Sequence, residues 1–141
     1  MKPTSSTTSR TAAGADVTGA DLDAARPVLA VALGEATYYA SKFDGRLTAS
    51  GIRFHNSELF AAHREYPFGT VVRVTNLENE RSVVLRVVDR GPNGKSERIQ
   101  RTIIDVSQRA ARQLDFLRAG RINVRVEVLE WGPGRRTRGQ L

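Results

Sequence analysis

Two stretches of this chain alternate apolar and polar residues with a period of two, and this commits them to strands with one buried face. In Ser82–Asp89 (SVVLRVVD), Val83, Leu85, Val87 and Asp89 fall on one face. In Ile122–Glu130 (INVRVEVLE), Ile122, Val124, Val126 and Val128 share one face, and Asn123, Arg125, Glu127 and Leu129 share the other. Successive side chains of a strand point to opposite sides, so this pattern fits the wall of a sheet or barrel rather than a helix. Val71–Thr75 and Glu35–Ala40 are further β-rich runs, and Leu77–Arg81 (LENER) reads as the turn of a hairpin. One helix is predicted at 107–117, with Ser107 as N-cap, an apolar stripe of Ala110, Ala111, Leu114 and Leu117, and Gly120 ending the region. Val72–Glu78 (VRVTNLE) echoes Val124–Glu130 (VRVEVLE). A barrel of two related halves would produce this echo, and so would chance.

The strand-forming body spans 28–131. Residues 1–27 are rich in Ser, Thr, Ala, Gly and Asp, and Leu22 is almost the only large apolar side chain before Pro27. Such a stretch buries too little surface to offset ordering entropy, so a flexible leader is expected there. Residues 132–141 (GPGRRTRGQL) read as a basic tail. The formal net charge of +7 favours anionic partners, whether nucleic acid, anionic lipid or an acidic polymer. There is no cysteine, which excludes disulfides, zinc–thiolate sites and a lipid-anchored cysteine in this sequence. The apolar run Val28–Leu33 is far short of the ~20 residues that span a membrane. It also lacks the flanks of an export signal.

Asp89 is the sharpest chemical candidate. It ends an apolar strand, and the period places it on the face of Val83, Leu85 and Val87, at the rim of a core. Burial raises a carboxyl pKa, and a carboxylic acid kept protonated near neutral pH can donate to a glycosidic oxygen. Arg90, next in a sharp Arg90-Gly91-Pro92 exit, would oppose that shift or bind an anionic group. The bland alternative for Asp89 is a turn-capping residue. His63, after the small pair Ala61-Ala62, would tune a carboxyl or bind sugar hydroxyls, though a lone His in a β-protein is commonly structural. Thr48 and Ser50 lie in a polar loop closed by Gly51. One of the adjacent Tyr38 and Tyr39 must face outward on a strand, so one of them is a candidate sugar platform. His55 is the only other His, and no ligand spacing suggests a metal.

Taken in order, these segments resemble the double-psi β-barrel domain of the septal-ring lytic transglycosylases, the rare lipoprotein A family. The matching stretches are Gly34–Ala40 (GEATYYA), Phe43–Gly51 (FDGRLTASG), Ala61-Ala62-His63, Pro67–Asn76 (PFGTVVRVTN), Val83–Pro92 ending in VVDRGP, and Ile104–Ser107 (IDVS). The resemblance covers about 34–131. It implies a mainly β fold: a six-stranded double-psi barrel with one or two short helices and pseudo-two-fold symmetry. It also implies a cleft for peptidoglycan strands, preferably lacking stem peptides. The implied reaction breaks the bond between N-acetylmuramic acid and N-acetylglucosamine. An acid protonates the leaving oxygen, and the 6-hydroxyl of the muramic residue closes on C1 to give a 1,6-anhydro end, without cofactor or metal. The lactyl carboxylates of muramic acid suit a basic surface. A cell-envelope location and a monomeric state are expected on the same ground.

Asp89 falls on the family's catalytic Asp in the DRGP motif, and His63 on its active-site His. Tyr39, Thr48, Ser50 and Arg90 are the expected substrate-binding residues. The family's catalytic Glu follows the Thr-Ala-Ser-Gly loop, where this chain has Ile52, a side chain that cannot transfer a proton. Glu58, six residues on, would substitute only if the loop folded back. A one-carboxylate mechanism on Asp89 is the other route, since the attacking hydroxyl is internal. The resemblance to membrane-bound transglycosylase A, which relies on one Asp, supports it. The competing reading is a glycan-binding barrel that kept the groove and lost the chemistry, as in expansin-like proteins. A nucleic-acid-binding barrel would need exposed aromatics among the strand arginines Arg73, Arg86 and Arg125, and few stand beside them; no nucleic-acid partner is expected.

Overall fold

The computed structural model describes residues 26–133. The leader expected at 1–27 and the tail expected at 132–141 lie outside these residues, apart from 26, 27, 132 and 133. Six strands close into a barrel: β1 (Ala30–Tyr38), β2 (Phe60–Ala62), β3 (Val71–Asn76), β4 (Ser82–Asp89), β5 (Thr102–Val106) and β6 (Ile122–Glu130). Two short helices accompany them, α1 (Glu97–Arg101) and α2 (Gln108–Gln113). The order around the barrel is β1-β5-β2-β4-β3-β6. The β1–β5 and β2–β4 pairs are parallel and the other four are antiparallel.

The two expected amphipathic strands form at their predicted bounds, and their apolar faces fill the barrel. Val83, Leu85 and Val87 from β4 meet Val124, Val126 and Val128 from β6, with Val72, Val74, Ile104 and Val106 from the neighbouring strands. Closure leaves no free sheet edge, so the whole alternating face can be buried. Ala110, Ala111 and Leu114 of α2, with Phe116, pack against the same core. The helix is shorter than the predicted 107–117. Ser107 caps its start by accepting from the Ala110 amide, but Asp115 sits at φ 61°, left-handed backbone that ends the helix before Leu117.

The sequence echo corresponds to the fold's symmetry. Its two copies are offset by 52 residues (124 − 72), and the barrel pairs Val74 with Val126, whose numbers differ by the same 52. A two-fold axis through that pair exchanges β1 with β4, β2 with β5 and β3 with β6, and leaves the strand order unchanged.

The outer face of β3 and β6 carries the strand arginines. Arg73 pairs with Glu127 at 2.9 Å with both side chains mostly buried, and Arg125 lies 3.9 Å from the same carboxylate. These two cations therefore serve the barrel wall. Glu35 likewise takes Arg101 and Arg121, whose guanidinium groups hold its carboxyl below the usual range. Gly132 donates to Thr70 Oγ1 at 3.0 Å, so the wall's contacts extend just past β6.

Leu85 is 2% exposed at the centre of this core. Leu85→Ala is expected to cost about 2–5 kcal/mol, read in chemical denaturation as a lower midpoint with an unchanged slope. A loss below about 1 kcal/mol would contradict a close-packed barrel interior.

Candidate active site on the outer barrel wall

Asp89 does not sit where the period-two pattern put it. Along β2 and β4, Ala61 pairs with Val87 but Ala62 pairs with Asp89, so Val88 is one extra residue on β4. A bulge of this kind shifts the alternation beyond it. Val87 stays in the barrel core, while Val88 joins a second apolar cluster with Tyr39, Phe54 and Ala62 on the outside of the wall. Asp89, as the partner of Ala62, follows it outward. The expectation that Asp89 shares the face of Val83, Leu85 and Val87 is thus corrected: the extra residue turns the carboxyl out of the barrel and onto its shoulder.

Three donors meet that carboxylate. The Tyr39 hydroxyl donates to Oδ2 at 2.7 Å, and the amides of Ala49 and Arg90 each donate to Oδ1 at 2.9 Å. They come from the end of β1, from the polar loop and from the chain's own next residue. The loop is rigid for reasons legible in its sequence. The Thr48 hydroxyl donates to the Ile52 carbonyl and contacts the Ser50 hydroxyl, the Gly51 amide donates to the Thr48 carbonyl, and Gly51 takes φ 94°. The Ser50 amide then docks on the Val88 carbonyl at 3.2 Å, which brings the Ala49 amide to Asp89. Thr48 and Ser50, the expected substrate-binding residues of this loop, make these hydroxyl contacts within it.

The Tyr39 ring packs against the outer apolar cluster. It stacks on Phe54 at 3.9 Å and 19°, meets Phe43 edge-on, and is 8% exposed. What it offers the site is its hydroxyl, whose pKa is raised by burial and by the bond to Asp89. Tyr38 packs toward the core and donates to the Leu117 carbonyl.

His63 stands beside Asp89, its amide donating to the Asp89 carbonyl at 3.1 Å. Burial, with Arg90 and Arg64 nearby, pushes its pKa down to about 4. Its Nδ1 accepts from the Glu65 and Tyr66 amides, so the single proton of the neutral ring lies on Nε2. The ring stacks on Tyr66 at 3.6 Å and 5°. His63 is therefore a fixed neutral donor near pH 7 rather than an acid. Arg90 lies over the Phe68 ring at 3.9 Å and donates to the His63 carbonyl.

Ile52 is 45% exposed on the same loop as Ala49. Glu58 is exposed in the turn that precedes β2. Its backbone carbonyl accepts from the Ser107 hydroxyl at 2.6 Å.

A further carboxyl, absent from the sequence candidates, belongs to the cluster. Asp105 on β5 pairs with Thr37 on one side and Ala62 on the other. The Thr37 hydroxyl donates to it at 3.2 Å. Burial raises its pKa to about 6, and the charge of Asp89 adds to the rise. The signal was the Asp in Ile104–Ser107 (IDVS), an acidic residue between apolar ones on a short strand. Among the described residues no group of three or more His, Asp or Glu is placed to hold a metal, and no helix is long and apolar enough to cross a membrane.

The His63 geometry is open to NMR. Its ring is expected to stay neutral, with the proton on Nε2, until the pH falls to about 4. Folding favours the neutral ring, so its contribution to stability is present above the unfolded pKa of about 6.5 and is lost as pH falls from there towards 4. A titration midpoint near 6.5 would contradict the buried placement.

The chain is similar to known proteins in sequence and in fold. A family described as "Lytic transglycolase" matches residues 31–126. The probable endolytic peptidoglycan transglycosylase RlpA of Aquifex aeolicus is 46% identical over 99 residues, covering 70% of this chain and 42% of that protein. The chain thus spans less than half the length of this curated relative. Among solved structures, the Streptomyces papain inhibitor superposes with a TM-score of 0.56 at 24% identity, covering 74% of this chain and 99% of the inhibitor. A point mutant of the Clavibacter michiganensis expansin, solved in complex with cellohexaose, superposes with a TM-score of 0.55 at 17% identity, covering 75% of this chain and 54% of the expansin. These two likenesses speak for the barrel fold, and the sequence matches go further: the chain belongs to the RlpA family of lytic transglycosylases and carries its double-psi β-barrel domain.

Proposed function

We propose that this barrel is an endolytic peptidoglycan lytic transglycosylase acting in the cell envelope, with Asp89 as its acid–base carboxyl. The observation that carries the proposal is the triple hydrogen bonding of Asp89 by Tyr39, Ala49 and Arg90 on an outer wall, beside a neutral His63. A turn-capping Asp would explain the Arg90 amide but not donors brought from 50 and 40 residues away. The names of the relatives supply the substrate class, and the expansin that shares the fold was itself solved in complex with a sugar chain, cellohexaose.

Cleavage of a muramic acid glycoside needs a proton delivered to the leaving oxygen and another removed from the C6 hydroxyl that attacks C1. The substrate brings its own nucleophile, so no activated water is required. A fixed carboxyl on the same side as both oxygens can serve each in turn. His63, held as a neutral donor, would bind a sugar hydroxyl or N-acetyl carbonyl, and the Arg90 guanidinium would suit the lactyl carboxylate.

A second reading is a glycan-binding barrel without chemistry, and Ile52 favours it. The side chain that follows the Thr-Ala-Ser-Gly loop is an exposed hydrocarbon in this chain.

Purified protein incubated with denuded glycan strands is expected to release anhydro-ended fragments, identified by mass spectrometry. Asp89→Asn should abolish them while binding persists, and Ile52→Glu should raise the rate by about tenfold or more, since an added acid–base group is worth about 10²–10⁴-fold at full efficiency. Binding with no fragments from the wild type would establish the second reading. No gain from Ile52→Glu in a folded protein would mean that position 52 does not face the cleft.

A further inference from the structure

Four residues on four neighbouring strands form one row across the outer wall. Thr37 on β1 pairs with Asp105 on β5, Asp105 with Ala62 on β2, and Ala62 with Asp89 on β4. Paired residues point to the same face of a sheet, so the two carboxyls flank the methyl of Ala62 on one surface. Their Cα atoms are two strand spacings apart, about 10 Å. Carboxyl pairs that flank a scissile glycosidic bond stand about 5–9.5 Å apart, a span that side chains leaning over Ala62 can reach. Both are partly buried, so both retain a path to solvent.

Their environments differ in kind. Asp89 receives three donors, including two backbone amides, and each is arranged for a carboxylate. Asp105 receives one, the Thr37 hydroxyl, in a drier setting. The groups that face Asp105 are Tyr39 and Thr37 from the β1 side and Asp89 from β4. The first is a neutral phenol and the last carries negative charge, so neither holds Asp105 ionised. A carboxyl kept protonated by burial, beside one bonded by three donors, can divide acid and base roles with it.

We infer that Asp105 is a second catalytic carboxyl of this site, the proton donor to the leaving glycosidic oxygen, with Asp89 as the base that takes the proton of the C6 hydroxyl. This rests on the transglycosylase reading above. In the step, Asp105 gives its proton to the bridging oxygen as the C1–O bond breaks, and the bonding pair stays on that oxygen. The C6 oxygen bonds to C1, and its proton passes to Asp89. The site ends with its proton on Asp89 instead of Asp105, and exchange with solvent restores the starting state. The leaving oxygen and the attacking hydroxyl lie on the same face of the muramic ring, and two carboxyls on one sheet surface match that requirement. The arrangement supplies the second acid–base group that Ile52 cannot.

The test is the pH–rate profile for release of anhydro-ended fragments from denuded strands by the wild type, Asp105→Asn and Asp105→Glu, with Asp89→Asn as control. The wild-type rate is expected to fall as pH rises through about 6, where Asp105 loses its proton. Asp105→Asn should lose about 10²–10⁴-fold and the alkaline limb with it, while strand binding and the folded amide spectrum persist, and Asp105→Glu should recover part of the rate. A carbon NMR titration should show the Asp105 midpoint move down in Asp89→Asn, because the neighbouring charge is gone. If the wild type and Asp105→Asn are equally active while Asp89→Asn is dead, the role of Asp105 is overturned and the transglycosylase reading stands. A wild type that binds strands and releases nothing overturns both.

Discussion

Near the end of β4, two consecutive residues, Val87 and Val88, are both buried, the first inside the barrel and the second outside it. The strand gains one residue against β2 at this point. An unbroken strand would have sent Asp89 inward with Val87, into an apolar interior. The bulge instead delivers Asp89 to the outer wall, within reach of Tyr39 and of the loop carrying Ala49. Every contact of the site depends on this single insertion, because a shift of one residue exchanges the faces of a strand.

Around that carboxyl the fold separates stiffness from chemistry. The valine-rich interior fixes the strands, and the outer cluster of Tyr39, Phe54, Ala62 and Val88, with Phe43 and Phe60 against it, fixes the loop that covers them. The start of α2 ties the same segment down, with Gln108 donating to the Tyr39 carbonyl and Arg109 to the Asn56 carbonyl. Donors aimed at Asp89 are therefore set before any ligand arrives, which is the condition for electrostatic preorganisation. His63 adds a donor whose protonation does not change near neutral pH, and Asp105 adds a group whose protonation does.

The strong alternation of β4 and β6 was legible because one face of each is apolar and the other is not. The start of β1 was obscured in Val28–Leu33, where apolar residues occupy both faces and Val31 and Leu33 remain exposed. β2 has three residues and β5 has five, too few to show a period, and α1 is barely more than a single turn capped by Ser96. Asp89 and His63 stood out by type and motif. Their surroundings did not, because a bulge leaves no mark in a hydropathy pattern and a hydroxyl's partner is set by tertiary approach. Asp105 escapes a sequence reading for the same reason: what makes it a carboxyl of interest is its neighbours across two strands, and neither is near it in sequence.

If the outer wall is the glycan surface, a short GlcNAc–MurNAc oligosaccharide without stem peptides should perturb it directly. Amide chemical-shift mapping of the wild type with a tetrasaccharide is the measurement closest to that claim. The largest shifts are predicted at Ala49, His63 and Arg90, whose amides bond Asp89 itself. The depression lined by Leu33, Leu77 and Asn123 lies at the opposite end of β4 and should stay silent. Shifts concentrated there, with Ala49 and Arg90 unmoved, would contradict a glycan site built around Asp89.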